Sequence, residues 1–223
     1  MPLVSNPDRP ENRPVPAIDR DKAPPDGRSA LTEAETVRAD TYVLLARLFR
    51  APPDQALLDR LMACRVGDEQ DAPLAKAWAG LADASRQADP RSLDDEFHAL
   101  FIGLGRGELL PYASWYLSGF LLDKPLAQLR ADLKKLGIER VEDVSESEDH
   151  VAALCETMAL LVDADAGIDH AGQKKFFDRH FHPWVPRFFA DLRTAKHSDF
   201  YRRVADLGQQ FIEFEQSWLS LPQ

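Results

Sequence analysis

The sequence has little of what secreted, redox-active or membrane-spanning proteins need. Its 223 residues contain only two cysteines, which form no C-x-x-C pair, so we expect reduced thiols rather than a disulfide framework. No apolar run approaches the roughly 20 residues of a transmembrane helix, and the first residues lack the apolar core of a secretory signal. These absences favour a cytoplasmic protein with no membrane span.

Basic residues are also in the minority. The 27 Lys and Arg residues face 37 Asp and Glu residues, so the net charge is -10. A chain of this sign repels nucleic-acid phosphates and anionic lipid, and it attracts cationic partners. We therefore expect no nucleic-acid partner. Strand-like alternation and internal repeats are missing as well, which excludes sheet-based folds.

Helical periodicity is what the sequence does contain, from about residue 31 to its end. Thr32 to Glu35 form a capping box that predicts the start of the first helix, and a long apolar stripe predicts a last helix from about Ser198. We predict an all-α fold, a compact bundle of about ten helices in two lobes joined by a hinge near residues 139–150. Residues 1–30 are rich in proline and scattered charge and are predicted to be a disordered tail, which leaves 31–223 as a single helical domain.

Catalytic and cofactor motifs are missing. A glycine run at 103–107 follows a helix and lacks the Lys-Ser/Thr of a phosphate loop, so a flexible linker is favoured over nucleotide binding. Asp95-x-x-His98 alone does not make a di-iron site, and His180-x-His182 lacks two further zinc ligands. Local hydrogen bonding is the favoured role for these histidines. We expect no enzyme activity, no metal and no cofactor.

The first candidate for binding is the aromatic segment 111–116. If a helix starts after its proline, Tyr112 and Tyr116 lie one turn apart on the same face, and Trp115 turns partly aside. Aromatic rings with polar tips make rigid contact surfaces, and Ser114 is placed to anchor a peptide main chain. The alternative is that these rings fill the core.

The second candidate is the acidic segment 139–150, which carries six acidic side chains against one arginine. A helix dipole stabilises some of these carboxylates, but six exceed that need. Glu146, Glu148 and Asp149 predict an anionic lip that binds guanidinium groups through paired hydrogen bonds. The alternative is ordinary solvated charge. His150 ends the segment, and its position is compatible with capping a helix, orienting an acid or contacting a peptide.

In their order and spacing, these segments resemble the TorD/DmsD family of redox-enzyme maturation chaperones, also called the NarJ-like group. Residues 96–103 look like its E-x-x-x-L-F-x-G helix end, 111–116 like its P-Y-x-S-x-Y signature, and 146–150 like its E-P-x-D-H motif. Two departures are visible, because Ser147 and Leu110 stand where the family usually has proline. The first of these puts the rigidity of the hinge in doubt.

The resemblance implies a cytoplasmic chaperone that binds the twin-arginine signal peptide of a molybdenum oxidoreductase precursor, of formate dehydrogenase or DMSO/TMAO reductase type. It further implies that binding delays export and assists insertion of the molybdenum cofactor. The peptide-binding residues carried over are Tyr112, Ser114, Tyr116, Asp149 and His150. A monomer or a domain-exchanged dimer is expected. The alternatives are an assembly factor that binds the folded body of an oxidoreductase subunit and, less favoured, a weak nucleotide hydrolase.

Overall fold

The computed structural model describes residues 31–64, 72–103, 106–138, 146–163 and 167–222. Within these ranges it contains ten α-helices and no strand, which confirms the all-α prediction. The helices are α1 Glu33–Arg50, α2 Gln55–Ala63, α3 Pro73–Gln87, α4 Pro90–Phe97, α5 Ala113–Ser118, α6 Lys124–Lys135, α7 Val151–Val162, α8 His170–Phe176, α9 Val185–Thr194 and α10 Phe200–Leu219. Two π-helical turns, His98–Ile102 and Phe177–Phe181, extend α4 and α8.

Helices from both sides of the predicted hinge share one compact unit, Leu31–Gln223. α1 packs along α7, and α10 packs against both α3 and α9. The predicted tail at 1–30 lies outside the described residues, as do 139–145 of the predicted hinge and acidic segment. Of the described helices, none is long and apolar enough to cross a bilayer.

Both predicted helix-start features are found. The Thr32 hydroxyl accepts from the backbone N–H of Glu35 at 3.2 Å, and the Glu35 carboxylate accepts from the Thr32 N–H at 2.9 Å. The last helix begins at Phe200, and its apolar stripe is buried as far as Phe211, whereas Phe214 and Trp218 are half-buried. The Glu96 side chain of α4 caps α10, since its carboxylate accepts from the backbone N–H groups of residues 199, 200 and 201 at 2.8 to 3.2 Å. The glutamate of the E-x-x-x-L-F-x-G motif therefore fixes the start of α10.

A buried ion pair that the periodicity did not predict ties α1 to α8 and α10. The Arg38 guanidinium donates to Glu215 at 2.5 and 3.0 Å and to the Gln173 side chain at 3.1 Å. The Tyr42 hydroxyl donates to the same Glu215 carboxylate at 3.0 Å. Both charges are buried, so each is stabilised by the other. Loss of either residue leaves an unpaired charge in the core.

The glycine run is a packed turn where the structure describes it. Gly103 has φ +63°, which favours glycine. Gly107 is buried, and a Cβ there would lie 2.4 Å from the backbone of Phe101. The interpretation as a flexible linker therefore does not hold at Gly107, because a close backbone approach requires this glycine.

Candidate functional site

The two candidate segments lie side by side. Tyr112 and His150 form an isolated antiparallel bridge between the loop before α5 and the start of α7. The N–H of Ala113 donates to the carbonyl of Asp149 at 2.9 Å, and the N–H of Val151 donates to the carbonyl of Pro111 at 2.8 Å. Motifs more than thirty residues apart in sequence are thus joined by backbone hydrogen bonds.

Asp149 and Ser114 lie beneath the surface at this junction. The Asp149 carboxylate is fully buried and accepts from the Ser114 N–H at 2.9 Å and from the Ser147 hydroxyl at 2.5 Å. The Ser114 side chain, also fully buried, accepts from the N–H of Leu122 at 3.2 Å. Both residues position the surrounding backbone, and neither is open to a ligand in this structure. Ser147, at the family's proline position, supplies one of the hydrogen bonds.

His150 is a helix cap. Its Nδ1 accepts from the N–H of Ala152 at 3.1 Å, and its ring meets the Tyr112 ring edge-on with centroids 4.9 Å apart. Burial lowers the pKa of His150 to about 4, so the ring is neutral at pH 7. Of the three roles left open by the sequence, capping α7 is the one that its contacts provide.

Glu146 and Glu148 lie closer to solvent and already have partners. The Tyr112 hydroxyl donates to Glu146, and burial together with this bond raises the pKa of Tyr112. The Arg130 guanidinium donates to Glu148 from Nε at 3.0 and 3.1 Å and from Nη2 at 2.8 Å. In this pair Glu148 accepts hydrogen bonds from two nitrogens of one guanidinium group, which is the bidentate geometry predicted for the anionic lip.

Trp115 and Tyr116 face a different neighbourhood from Tyr112. Tyr112 precedes the first turn of α5 with φ −125° and ψ 134°, so it does not share a helical face with Tyr116 as the spacing predicted. The two later rings line a cavity of about 470 Å³. The Arg106 guanidinium lies 4.5 Å from the centre of the Trp115 ring, and Arg187 lies 5.7 Å from that of Tyr116.

Tyr116 is half-buried between this cavity and the core. Its ring lies 5.4 Å from that of Trp184 and 6.0 Å from that of Phe188. Burial and the neighbouring Asp191 carboxylate raise the pKa of its hydroxyl, which bonds to that carboxylate. The Tyr116 ring therefore both packs against the core and lines a surface cavity, so the two interpretations that the sequence left open each describe part of its role.

An exposed apolar segment, which the sequence reasoning missed, begins in the last turn of α5 and continues beyond it. Residues 117–122 include four large apolar side chains in water, and the most exposed are Phe120 at 71% and Leu122 at 70%. Leu122 has φ +59°, an unfavourable left-handed conformation for a leucine. A helix stop at Gly119 followed by Phe-Leu-Leu was the available signal, because apolar residues after a helix end have no helical face to bury them. Exposed apolar clusters of this kind mark interaction sites.

No metal site is formed by the described residues, among which no three His, Cys, Asp and Glu side chains come together. His180 has a partner from α6, with its Nε2 2.9 Å from the Asp132 carboxylate. Desolvation lowers the pKa of this histidine. The first member of the His180-x-His182 pair is therefore hydrogen-bonded within the protein, as the favoured interpretation expected, but its partner lies 48 residues away and is not local.

Comparison with known proteins gives the family to which the chain belongs. The fold matches a crystal structure from Archaeoglobus fulgidus described as a redox enzyme maturation protein, with a TM-score of 0.55 and 19% identity over 83% of this chain and 96% of that one. Residues 68–190 match the family described as nitrate reductase delta subunit. The chain belongs to this family of NarJ and TorD type, which confirms the resemblance, and it is a redox-enzyme maturation chaperone.

Curated relatives point the same way. A protein from Vibrio cholerae named chaperone protein TorD is 28% identical over 197 residues, which cover 79% of this chain and 89% of that protein. One of the same name from Vibrio parahaemolyticus is 24% identical, over 82% of this chain and 94% of that protein.

Proposed function

We propose that this chain binds the twin-arginine signal peptide of a molybdenum oxidoreductase precursor in the cytoplasm, delays its export and assists insertion of its molybdenum cofactor. The observation that carries the proposal is the link through Ser114. Its N–H binds the Asp149 carboxylate in the acidic segment, and its hydroxyl accepts from Leu122 in the exposed apolar segment. One buried serine thus links the acidic segment to the exposed apolar segment, and these segments carry the two chemistries that such a peptide needs.

The signal peptide presents two arginines followed by an apolar, helix-prone stretch. In the proposed complex, Glu146 and Glu148 bind the arginines, and residues 117–122 bind the apolar stretch. Apolar burial, at about 25 cal/mol per Å², supplies most of the affinity. The charge pairs set the register, and the net charge of -10 speeds the encounter.

The cavity lined by Trp115 and Tyr116 adjoins the exposed apolar segment. Gly119 belongs to the exposed apolar segment and also lines the cavity next to Trp115 and Tyr116. A peptide that crosses residues 117–122 therefore reaches both rings. Ser114, Asp149 and His150, which the resemblance assigned to peptide binding, act in this proposal as positioning residues beneath the surface.

The test is titration of the purified protein with a labelled leader peptide of a molybdoenzyme from the same genome, read by fluorescence anisotropy. We expect Phe120→Asn combined with Leu122→Asn to weaken binding by about tenfold or more, since burial of one large apolar side chain is worth about 1.5–3 kcal/mol. Asparagine also tolerates the left-handed backbone at 122. The matched control is Val43→Asn combined with Leu160→Asn, which removes two other exposed apolar side chains.

Two outcomes count against the proposal. The first is no binding at micromolar concentration to any such leader, and the second is an equal loss in both double variants. Deletion of the leader from the precursor separates the remaining alternative. Persistent co-purification would favour an assembly factor that binds the folded body of an oxidoreductase subunit.

A further inference from the structure

A second groove, of about 720 Å³, lies over α10 between α3 and α9. The buried residues that form its floor come from all three helices and are Ala77, Ala205 and Phe189, and the exposed Ala190 lines its edge. α9 and α10 are closely packed where Gly208 faces the Phe189 ring, because a Cβ at Gly208 would lie 2.2 Å from it. Small floor residues allow a bound chain to approach the helices closely.

The rim of this groove carries a net positive charge, whereas the protein as a whole is negatively charged. Among the described residues that line it, Lys76, Arg193 and Arg203 are basic, and Asp206 alone is acidic. Both arginines share that carboxylate, with Arg193 Nε at 3.1 Å and Arg203 Nη1 at 3.3 Å. Their side chains are 67% and 53% exposed, so each has donors directed to solvent. The lining charge is about +2 (three basic minus one acidic) on a chain with net charge -10.

We propose that this groove binds an acidic segment of a polypeptide partner. Carboxylates of the segment accept from Arg193 and Arg203 on the rim, and its small or apolar side chains lie on the alanine floor. None of the described residues of the acidic segment lines this groove, and the proposal does not rest on signal-peptide binding.

Charge and shape favour this occupant. A nucleic acid would meet the rim, but its phosphates are repelled by the acidic remainder of the chain. A small anion would contact exposed arginines in water, where an ion pair contributes little, and would leave the apolar floor uncovered. A polypeptide covers the floor and pairs with the rim at once.

The experiment uses the full chain and a labelled amphipathic peptide with glutamate on one helical face and alanine and leucine on the other. We expect saturable binding that weakens by about tenfold in Arg193→Gln combined with Arg203→Gln, because charge-assisted hydrogen bonds are lost. The control, Arg60→Gln combined with Arg91→Gln, removes the same charge from two exposed arginines outside the groove and is expected to change binding less than about twofold.

A second variant tests the groove while both arginines are kept. Ala190→Glu places a carboxylate in the groove at an exposed helical position, and we expect it to abolish peptide binding without changing the thermal midpoint. The thermal midpoint of the arginine double variant should also match that of the wild type.

Several outcomes would overturn the proposal. These are no saturable binding, equal loss in the control pair, or equal binding of a peptide in which every glutamate is replaced by glutamine. Equal competition by a single-stranded oligonucleotide would assign the groove to a polyanion of another class. Self-association that disappears in Arg193→Gln combined with Arg203→Gln would assign it to a second copy of this chain.

Discussion

The ion pair between Arg130 and Glu148 gives the sharpest test of the proposed signal-peptide site. If Glu148 binds an arginine of the incoming peptide, Arg130 occupies that position beforehand and must leave. Removal of Arg130 should therefore tighten peptide binding. If the pair only stabilises the local structure, removal of Arg130 should instead weaken peptide binding, because the surface around Glu148 would be less ordered.

The expected size follows from the exposure of the pair. The Arg130 side chain is 50% exposed and that of Glu148 is 17% exposed, so solvent screens much of the attraction. Exposed ion pairs contribute about 0.2–1 kcal/mol, which corresponds to about a 1.4- to 5-fold gain in affinity for Arg130→Ala. Arg130→Lys keeps the charge but loses the fork and should give a smaller gain.

The assay is anisotropy titration of a twin-arginine leader peptide at low and high salt. Arg47→Ala is the matched control, since Arg47 grips Asp54 with two bonds of 3.1 Å and is exposed to a similar degree. Both variants change the net charge from -10 to -11, so only a local effect separates them. The reasoning is refuted if Arg130→Ala binds no tighter than Arg47→Ala. The difference should shrink in high salt, because screening weakens exposed charges.

The remaining predictions concern stability. Asp149→Asn should lower the free energy of unfolding by about 1–3 kcal/mol in urea titration, because a buried acceptor of two hydrogen bonds is altered; an unchanged midpoint would contradict this. Gly208→Ala should cost about 1–3 kcal/mol from overpacking. At Gly80 a Cβ would have its nearest contact at 3.9 Å, so Gly80→Ala should stabilise, and similar effects at both glycines would argue against the packing at 208. The hydrogen bond from Lys135 is the main cause that lowers the pKa of Asp132 to about 2. This stabilisation is present above the unfolded pKa of about 3.9 and is lost as pH falls toward 2, so Asp132→Asn should flatten the pH dependence of stability in that window.

The sequence predicted what local periodicity and capping specify. The start of α1 at its capping box and the buried stripe of α10 are local features of this kind. The ion pair of Arg38 and Glu215 joins residues 177 positions apart, and no local pattern encodes such a pairing. The prediction that Tyr112 and Tyr116 share a helical face was not met, because the helix starts at residue 113, one position later than that prediction requires.

Motif residues can control binding from below the surface. The Asp149 carboxylate accepts from the Ser114 N–H and from the Ser147 hydroxyl, and the Ser114 hydroxyl accepts from the N–H of Leu122, whose backbone is strained. The unfavourable conformation at Leu122 keeps an apolar side chain in water, where a monomer gains nothing from it. The Leu122 N–H donates to the buried Ser114 hydroxyl, and the Ser114 N–H donates to the buried Asp149 carboxylate, so the acid is linked to that conformation through the serine. A substitution at Asp149 should therefore reduce peptide affinity and stability together, whereas one at Phe120 should reduce affinity alone.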